Sequence, residues 1–254
     1  ELIRKNLNKL FMKILVPIST VPDTTAKVAF TEGNTKFDTN NVTFILNPTD
    51  EWYSLVRAIE LKEKNGSSVT VINVGPATND QFIRKALAIG ADNAVRIDAE
   101  PRDAFFVASQ IAEHAKSEAY DLVLTGKETI DFNGSQIGAM VSELLDFPYV
   151  SLVSKLELEG NTFTLDREIE GGDEVVLVDM PVVVSAQKGI AEQRIPNMRG
   201  IMQSRTKPLV VVAATTVEER ITINSFELPP VKTGAKMVDP ENLDELVRLL
   251  HEEA

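Results

Sequence analysis

One segment of the 254-residue sequence carries residue types that suit phosphate binding. Leu122–Leu124 has the pattern of a buried strand, and Gly126, Lys127, Ser135 and Gln136 follow it, the last two where a helix is predicted to begin. Glycine allows close backbone approach, lysine supplies charge, and a helix N-terminus offers unpaired N–H groups. Ser and Gln side chains can donate hydrogen bonds to phosphate oxygens. The segment predicts a nucleotide cradle, and an ordinary β–α turn is the alternative.

Two more loops are predicted at the same end of the sheet. Asn47–Asp50 precedes the first predicted helix, and Gly75-Pro76 follows the second predicted strand. Ligands of open α/β sheets lie at the carboxyl ends of the strands. Three loops that converge there favour the nucleotide interpretation over a plain turn.

The sequence lacks the residue patterns of a catalytic centre. It has no Cys, and its two histidines, His114 and His251, are far from any Ser or carboxylate pairing of a catalytic triad. The Gly-x-Ser-x-Gly, phosphate-loop, His-Glu-x-x-His and Gly-x-Gly-x-x-Gly patterns are missing. We therefore expect no catalytic residue in this chain and no metal site.

Charge and composition exclude several classes of partner. The net charge of −12 argues against binding of nucleic acid, which needs a basic surface. No apolar run approaches the roughly 18 residues of a membrane span, so we expect no membrane insertion. The lack of Cys fits a reducing compartment, and we predict a cytoplasmic protein.

Apolar strands alternate with amphipathic helices over the first 150 residues. This alternation predicts the α/β class, with a mostly parallel, doubly wound sheet. The predicted strands are Ile14–Ile18, Val69–Val74, Ala94–Ile97 and Leu122–Leu124. The predicted helices are Asp50–Lys64, Asn79–Ile89, Asp103–Lys116 and Ser135–Leu145, the last with Gly134 or Ser135 as N-cap.

The second half of the chain reads differently. Strands joined by hairpin turns are predicted from Tyr149, so the sheet gains antiparallel strands late. They are Val150–Glu157, Thr162–Glu168, Glu174–Val178 and Val182–Ala186. Residues 187–207 form a basic loop without strong periodicity, and an apolar strand follows at Leu209–Ala213.

We predict three parts in the chain. Residues 1–11 are an N-terminal extension with Met12 as the expected natural start, residues 12–214 are the α/β domain, and residues 215–254 are a C-terminal arm. A helix is predicted over Pro240–His251, with an apolar stripe formed by Leu243, Leu246, Val247 and Leu250. Such a stripe must be buried, either against the same chain or against a partner.

An ordered set of motifs resembles the β subunit of electron transfer flavoprotein, from Lys13 to about Pro208. The most specific stretch is Arg167–Gly172, followed by Glu174, Val176 and Pro181–Ser185. Leu165 stands where that signature usually has a smaller or β-branched residue. Further motifs in family order are Val21–Asp23, Asn47-Pro48, Gly75-Pro76, Ala88–Asp92, Gly126-Lys127 and Ile130-Asp131.

The resemblance implies a fold like that of the adenine nucleotide alpha hydrolases and a heterodimer with a larger α subunit. FAD is then held mainly by the α subunit, and this chain binds AMP, or a second FAD, in a structural pocket. The pocket residues that the resemblance implies are Pro17, Asn47, Pro48, Thr49, Asp50, Val74, Gly126, Lys127, Thr129, Asp131, Gly134, Ser135, Gln136 and Ile137. We call this set the cradle.

The same resemblance makes residues 187–207 a docking loop for partner dehydrogenases, acyl-CoA dehydrogenases or other flavin dehydrogenases. Met198 stands at the family's apolar anchor position, and Ile201-Met202 matches its Ile-Met pair, with Arg194 nearby. Glu168 matches an acidic residue that pairs with an Arg of the α subunit. The implied role is electron transport from fatty acid β-oxidation, as a carrier subunit and not as an enzyme.

Departures from the family pattern keep alternatives open. Ser19 replaces a common Lys, and Asn133–Gly138 lacks the Asn-Gln-Thr-Gly of AMP-binding members. It also differs from the corresponding loop of electron-bifurcating members, which oxidise NADH and hold a second FAD. A stand-alone adenine-nucleotide-binding protein of similar architecture is the remaining alternative.

Overall fold

The computed structural model describes residues 11–231 and 234–253. Residues 1–10 of the predicted N-terminal extension lie outside this range. The described chain divides into two units, residues 11–28 with 38–222 and residues 29–37 with 223–253.

Short apolar runs form the strands of the first unit. The strands are β1 (Lys13–Pro17), β2 (Thr20–Pro22), β5 (Phe44–Leu46), β6 (Ser68–Val74), β7 (Asn93–Asp98), β8 (Leu122–Gly126), β9 (Tyr149–Glu159), β10 (Thr162–Ile169), β11 (Gly172–Asp179), β12 (Val182–Ala186) and β13 (Leu209–Ala213); β3 (Phe30–Thr31) and β4 (Lys36–Phe37) belong to the second unit. The long strands confirm the predicted ones to within a few residues. The two-residue and three-residue strands between 20 and 46 are too short to give a sequence signal.

Nine of these strands form one sheet in the order β11-β10-β9-β12-β8-β1-β6-β7-β13. All neighbouring pairs from β9 to β13 along this order are parallel, and only β9-β10 and β10-β11 are antiparallel. In the β1-β6 pair the register runs from Lys13 opposite Ser68 to Pro17 opposite Ile72. The predicted fold class, a mostly parallel α/β sheet with late antiparallel strands, is confirmed.

Four helices of the first unit cover both faces of this sheet. They are α1 (Asp50–Asn65), α2 (Asp80–Ile89), α3 (Ala104–Lys116) and α4 (Ile137–Leu145). Helix α5 (Met198–Ser204) packs against α2, and α6 (Leu243–Glu252) belongs to the second unit. Because side chains alternate along a strand, Ile14 packs in the cluster that holds Leu55 of α1, whereas Leu15 packs with Phe106 of α3 on the other face. Both faces of the central strands are therefore buried, as in doubly wound folds.

The second unit contains the hairpin β3-β4 and α6. Phe30 and Phe226 stack with ring centroids 5.0 Å apart, and the Phe226 N–H donates to the Asn34 carbonyl at 2.7 Å. Helix α6 begins three residues later than predicted, where the Asn242 side chain accepts from the Glu245 N–H. Among residues 11–231 and 234–253, no helix has the length and apolar character needed to cross a membrane.

Candidate functional site

The cradle lies where the sheet changes direction. From β1 the chain adds β6 and β7 on one side and then places β8 on the other side of β1. The carboxyl ends of β1 and β8, at Pro17 and Gly126, meet at this switch point, which is the usual ligand position in doubly wound sheets. Val74 ends β6, so one strand separates it from β8.

The buried side chain of Asn47 joins two of the predicted loops. Its Nδ2 donates to the Glu128 carbonyl at 3.2 Å, and its Oδ1 accepts from the Ile130 N–H at 3.4 Å. Both the donor and the acceptor of the amide are used, so Asn47 fixes the distance between the segment Asn47–Asp50 and the segment that follows β8. The structure therefore brings these two predicted parts of the cradle together.

Gly126 is required where the first turn of α1 packs against the end of β8. The sequence suggests a glycine that lets the backbone approach a ligand. In the structure a Cβ at this position would lie 2.7 Å from the Glu51 backbone nitrogen and 2.8 Å from Glu51 Cγ. The group that approaches Gly126 is thus the first turn of α1, and Ser54 holds it there by donating its hydroxyl to the Thr125 carbonyl at 2.8 Å.

Lys127 is held in place by an acidic neighbour. Its Nζ lies 3.1 Å from Glu128 Oε1, and the Ser135 hydroxyl donates to Glu128 Oε2 at 3.1 Å. The Lys127 side chain holds the pKa of Glu128 below its usual value, and the hydrogen bond to Glu128 raises the pKa of Lys127. Both groups therefore stay charged. Because Lys127 already pairs with Glu128, only part of its charge is available to a bound anion.

Helix α4 begins at Ile137, so the predicted start at Ser135 and the predicted N-cap at Gly134 or Ser135 are wrong. Ser135 has a left-handed backbone (φ 51°) and its hydroxyl is directed to Glu128. The N-cap is Gln136, whose side chain makes no capping hydrogen bond. The first-turn N–H groups of α4 are therefore left without a side-chain acceptor from the cap, which keeps the positive end of this helix available.

Glu51 is the buried carboxyl that sequence reasoning missed. Its Oε2 accepts from the Ser19 N–H at 2.8 Å and from the Ser19 hydroxyl at 2.7 Å, at the end of β1. Burial raises its pKa from 4.5 to about 7, against the opposing hydrogen bonds from Ser19 and Asn47. Ser19 is neutral and provides no cation to this carboxyl. The only sequence signal for Glu51 is the pair Asp50-Glu51 ahead of an apolar helix.

The remaining cradle residues range from buried to exposed. Burial also raises the pKa of Asp50, which lies beside Glu51 at the start of α1. Thr49 is the N-cap residue of that helix, and the Thr129 carbonyl accepts from the Asn133 N–H at 3.0 Å. The members that face solvent are Asp131, Gly134, Ser135 and Gln136.

The docking loop contains α5, which the sequence did not predict. Gly200 lowers the helix propensity of this segment, but a Cβ there would lie 2.2 Å from the Ala88 carbonyl oxygen, so close packing against α2 requires the glycine. Asn197 caps α5 by accepting from the Gly200 N–H. Tertiary packing, which sequence periodicity does not report, decides the structure here.

Apolar side chains of the docking loop are exposed together. Met198 is 74% exposed, Met202 67% and Ile201 39%, at positions i, i+4 and i+3 of α5. Ile195, which sequence reasoning missed, is 84% exposed. Arg194 is turned toward the protein instead, with two hydrogen bonds to the Glu63 carboxylate at 2.7 and 3.1 Å.

Glu168 lies near the end of β10, close to both regions. Its Oε2 accepts from Gln187 Nε2 at 2.8 Å, and its charge contributes to the raised pKa of Lys127. Two surface hollows of about 520 and 320 Å³ are lined by other residues, such as Arg102 and Phe82 respectively. In the ranges that the structure describes, no group of three His, Cys, Asp or Glu side chains is arranged to hold a metal ion.

Together these features define a doubly wound α/β protein whose loops gather at the topological switch point. The family model "Electron transfer flavoprotein domain" matches residues 35–217. The electron transfer flavoprotein subunit beta of Bacillus subtilis is 33% identical over 258 residues, covering 96% of this chain and 99% of the relative. The chain belongs to the electron transfer flavoprotein β-subunit family.

Two further relatives carry the same name. The subunit beta of Syntrophomonas wolfei is 34% identical over 91% of this chain and 91% of its own length. The human subunit beta is 32% identical over 95% of this chain and 97% of its own length. The resemblance that the sequence motifs carry is thus confirmed.

Proposed function

We propose that this chain is the β subunit of a heterodimeric electron transfer flavoprotein and that it holds an adenylate in the cradle. The FAD that carries electrons is held mainly by the α subunit, and the docking loop receives partner dehydrogenases. The observation that carries the proposal is that Asn47 forms hydrogen bonds with the segment after β8 and so holds the two cradle loops together at the switch point. The chain's membership of this family supports it. When bound, the flavin accepts electrons from a dehydrogenase and passes them on.

The donor groups of the cradle fit the phosphate of an adenylate. The uncapped start of α4 supplies N–H groups, and Lys127 supplies a positive charge. Gln136 and Ser135 are exposed beside them and offer further donors. We therefore assign phosphate binding to the segment Gly126–Ile137.

Four carboxyl groups in or beside the cradle set a limit on how an anion binds. Asp50 and Glu51 are buried at the start of α1, Glu128 pairs with Lys127, and Asp131 is exposed to solvent. An ionised Glu51 would repel a phosphate beside it. Because burial raises the pKa of Glu51 to about 7, this carboxyl is partly neutral near pH 7. The phosphate belongs at the α4 side of the cradle, and the nucleoside part belongs nearer Asn47–Asp50.

The docking loop suits a transient redox encounter. Its exposed apolar groups are few, and such encounters use small interfaces in which one or two anchors dominate. Methionine adapts to differently shaped partners because its side chain is unbranched and flexible. We assign the anchor role to Met198, with Ile201 and Met202 beside it, and we name acyl-CoA dehydrogenases of cytoplasmic fatty acid β-oxidation as the first partners to test.

The α subunit is proposed to cover the apolar face of α6 in the C-terminal arm. Leu243, Leu246, Val247 and Leu250 are between 42% and 65% exposed, although their spacing forms one stripe. An amphipathic helix normally buries such a stripe. Glu168 is proposed to contact an Arg of the same subunit.

Co-expression with the neighbouring larger reading frame tests the assignment. We expect a yellow 1:1 complex that releases one FAD and one AMP on denaturation, as measured by chromatography of the released nucleotides. Release of two FAD and no AMP per heterodimer would mean that a second flavin occupies the cradle. That result would favour an electron-bifurcating protein that oxidises NADH. A colourless, stable monomer that binds ATP without a companion chain would overturn the proposal.

A further inference from the structure

One hydrogen bond connects the cradle to the docking loop, and a second connects the first turn of α1 to the same loop. Gln193 Nε2 donates to the Pro48 carbonyl at 2.6 Å, and Trp52 Nε1 donates to the Arg194 carbonyl at 3.3 Å. Pro48 follows Asn47, the residue that joins the two cradle segments. Gln193 of the docking loop is therefore bonded to the short stretch that is proposed to contact the nucleoside, and Arg194 is bonded to the helix that follows this stretch.

Trp52 is itself held rigidly. It is 8% exposed and packs in the core cluster that includes Leu55, and Lys85 Nζ lies 4.6 Å from its ring centroid. The ion pair between Arg194 and Glu63 adds a second tether from α1 to the loop. Residues 193 and 194 are thus in direct contact with Pro48, just ahead of α1, and with both ends of α1.

The docking loop is also fixed downstream of Ile195, at the start of α5. Asn197 caps α5, and Gly200 brings α5 against the Ala88 carbonyl of α2. Ile195 lies between the two fixed points, and Met198 is the first residue of α5. The position of the upstream point therefore acts on Ile195 directly and on Met198 through the start of α5.

We propose that Gln193 and Trp52 are positioning residues that couple occupancy of the cradle to the order of the docking loop. The inference rests on the proposed function, because it takes an adenylate as the occupant. A ligand that orders Asn47–Asp50 lowers the entropy lost when residues 193–198 are ordered by a docked partner. Coupling of this kind is reciprocal, so docking also tightens adenylate binding.

Hydrogen–deuterium exchange on the purified heterodimer tests this coupling. The complex is stripped of nucleotide, and exchange in peptides that cover residues 187–205 is compared without and with AMP, with FAD as a second probe. We expect AMP to slow exchange at residues 193–201 by about fivefold, the lower end of the usual range for coupled sites. Calorimetry on the same samples measures whether the probe is bound.

Matched variants identify the residues responsible. Gln193→Leu keeps the size of the side chain and removes its donor, and Trp52→Phe keeps an aromatic ring and removes the indole N–H. Each should abolish most of the AMP-dependent protection while the probe still binds. Gln203→Leu, at an exposed glutamine of the same loop, should retain it.

A kinetic measurement separates positioning from a general loss of structure. In an assay with an acyl-CoA dehydrogenase, Gln193→Leu should raise the KM for the flavoprotein about fivefold at unchanged kcat, as AMP removal does for the wild type. Bound probe with unchanged exchange would overturn the coupling alone. Failure of both AMP and FAD to bind would overturn the assignment of the cradle and the coupling with it.

Discussion

In the cradle, polar atoms from different elements satisfy one another in the interior, whereas in the docking loop apolar side chains are left in solvent. Asn47 is fully buried and uses both ends of its amide, while Met198 is 74% exposed. A buried polar group must keep its partners, so a change in the cradle acts through the fold. A change at an exposed anchor acts on the partner and leaves the fold intact.

Gly126→Val should lower the free energy of unfolding more than any of the other proposed substitutions, because the cradle leaves no space for a side chain at this position. The new Cβ would overlap with the backbone nitrogen of Glu51, and backbone atoms cannot move aside as a side chain can. We expect a loss of about 3 kcal/mol in the free energy of unfolding, at the upper end of the usual cost of overpacking, and a lower yield of nucleotide-containing complex. Urea denaturation and nucleotide analysis measure the two effects.

Gly134→Ala is the matched control in the same segment. A Cβ at Gly134 would meet no atom within 4 Å, so stability should be nearly unchanged. Wild-type stability and nucleotide content in Gly126→Val would show that α1 does not pack against this glycine and that the cradle is assigned wrongly.

The second prediction concerns the pH dependence that buried Glu51 confers on the cradle. Its pKa is about 7 when folded and 4.5 in the reference state, so between these values the folded chain holds a proton that the unfolded chain releases. The favourable contribution is complete below pH 4.5 and is lost as the pH rises through 7. The loss amounts to roughly 3 kcal/mol at most.

Glu51→Gln removes this titration and keeps an acceptor for the Ser19 N–H. The free energy of unfolding, measured by urea denaturation from pH 5 to 8, should fall more steeply for the wild type than for the variant. Parallel curves would mean that Glu51 is ionised throughout this range. The negative charge of Asp131 contributes to the raised pKa of Glu51. In the variant Asp131→Asn the pKa of Glu51 should therefore be lower, and the steep part of the stability curve should lie at lower pH than in the wild type.

The sequence predicts the fold and the outline of the cradle because both depend on local signals. Apolar runs give the strands, and loops at the strand ends give the place of the site. The bond from Glu51 to Ser19 spans 32 residues, and the contact of Gly200 with Ala88 joins two helices, so neither is encoded in a local pattern. Helix α5 and the true start of α4 escaped prediction for the same reason.

Gly200→Ala tests the packing of α5 against α2, which holds the docking loop in place. It should lower the free energy of unfolding less than the changes in the cradle do. The Cβ would meet the Ala88 carbonyl oxygen at 2.2 Å, but alanine also favours a helix by about 1 kcal/mol over glycine. We expect a net loss of about 2 kcal/mol in the free energy of unfolding from urea denaturation, with faster hydrogen exchange in α5. A gain in stability would show that α5 can move away from α2 without cost.

Met198→Ala should leave stability unchanged and act only on docking. Truncation of an exposed anchor typically costs 1–2 kcal/mol of binding, which corresponds to about a tenfold rise in the KM of a partner dehydrogenase for the flavoprotein. Flavin and nucleotide content should stay as in the wild type. Met237→Ala, at a methionine that is 88% exposed in the other unit, is the matched control and should leave KM unchanged. If both variants raised KM equally, exposure alone would explain the effect, and the contrast between an inward-built cradle and an outward-facing docking loop would lose its functional meaning.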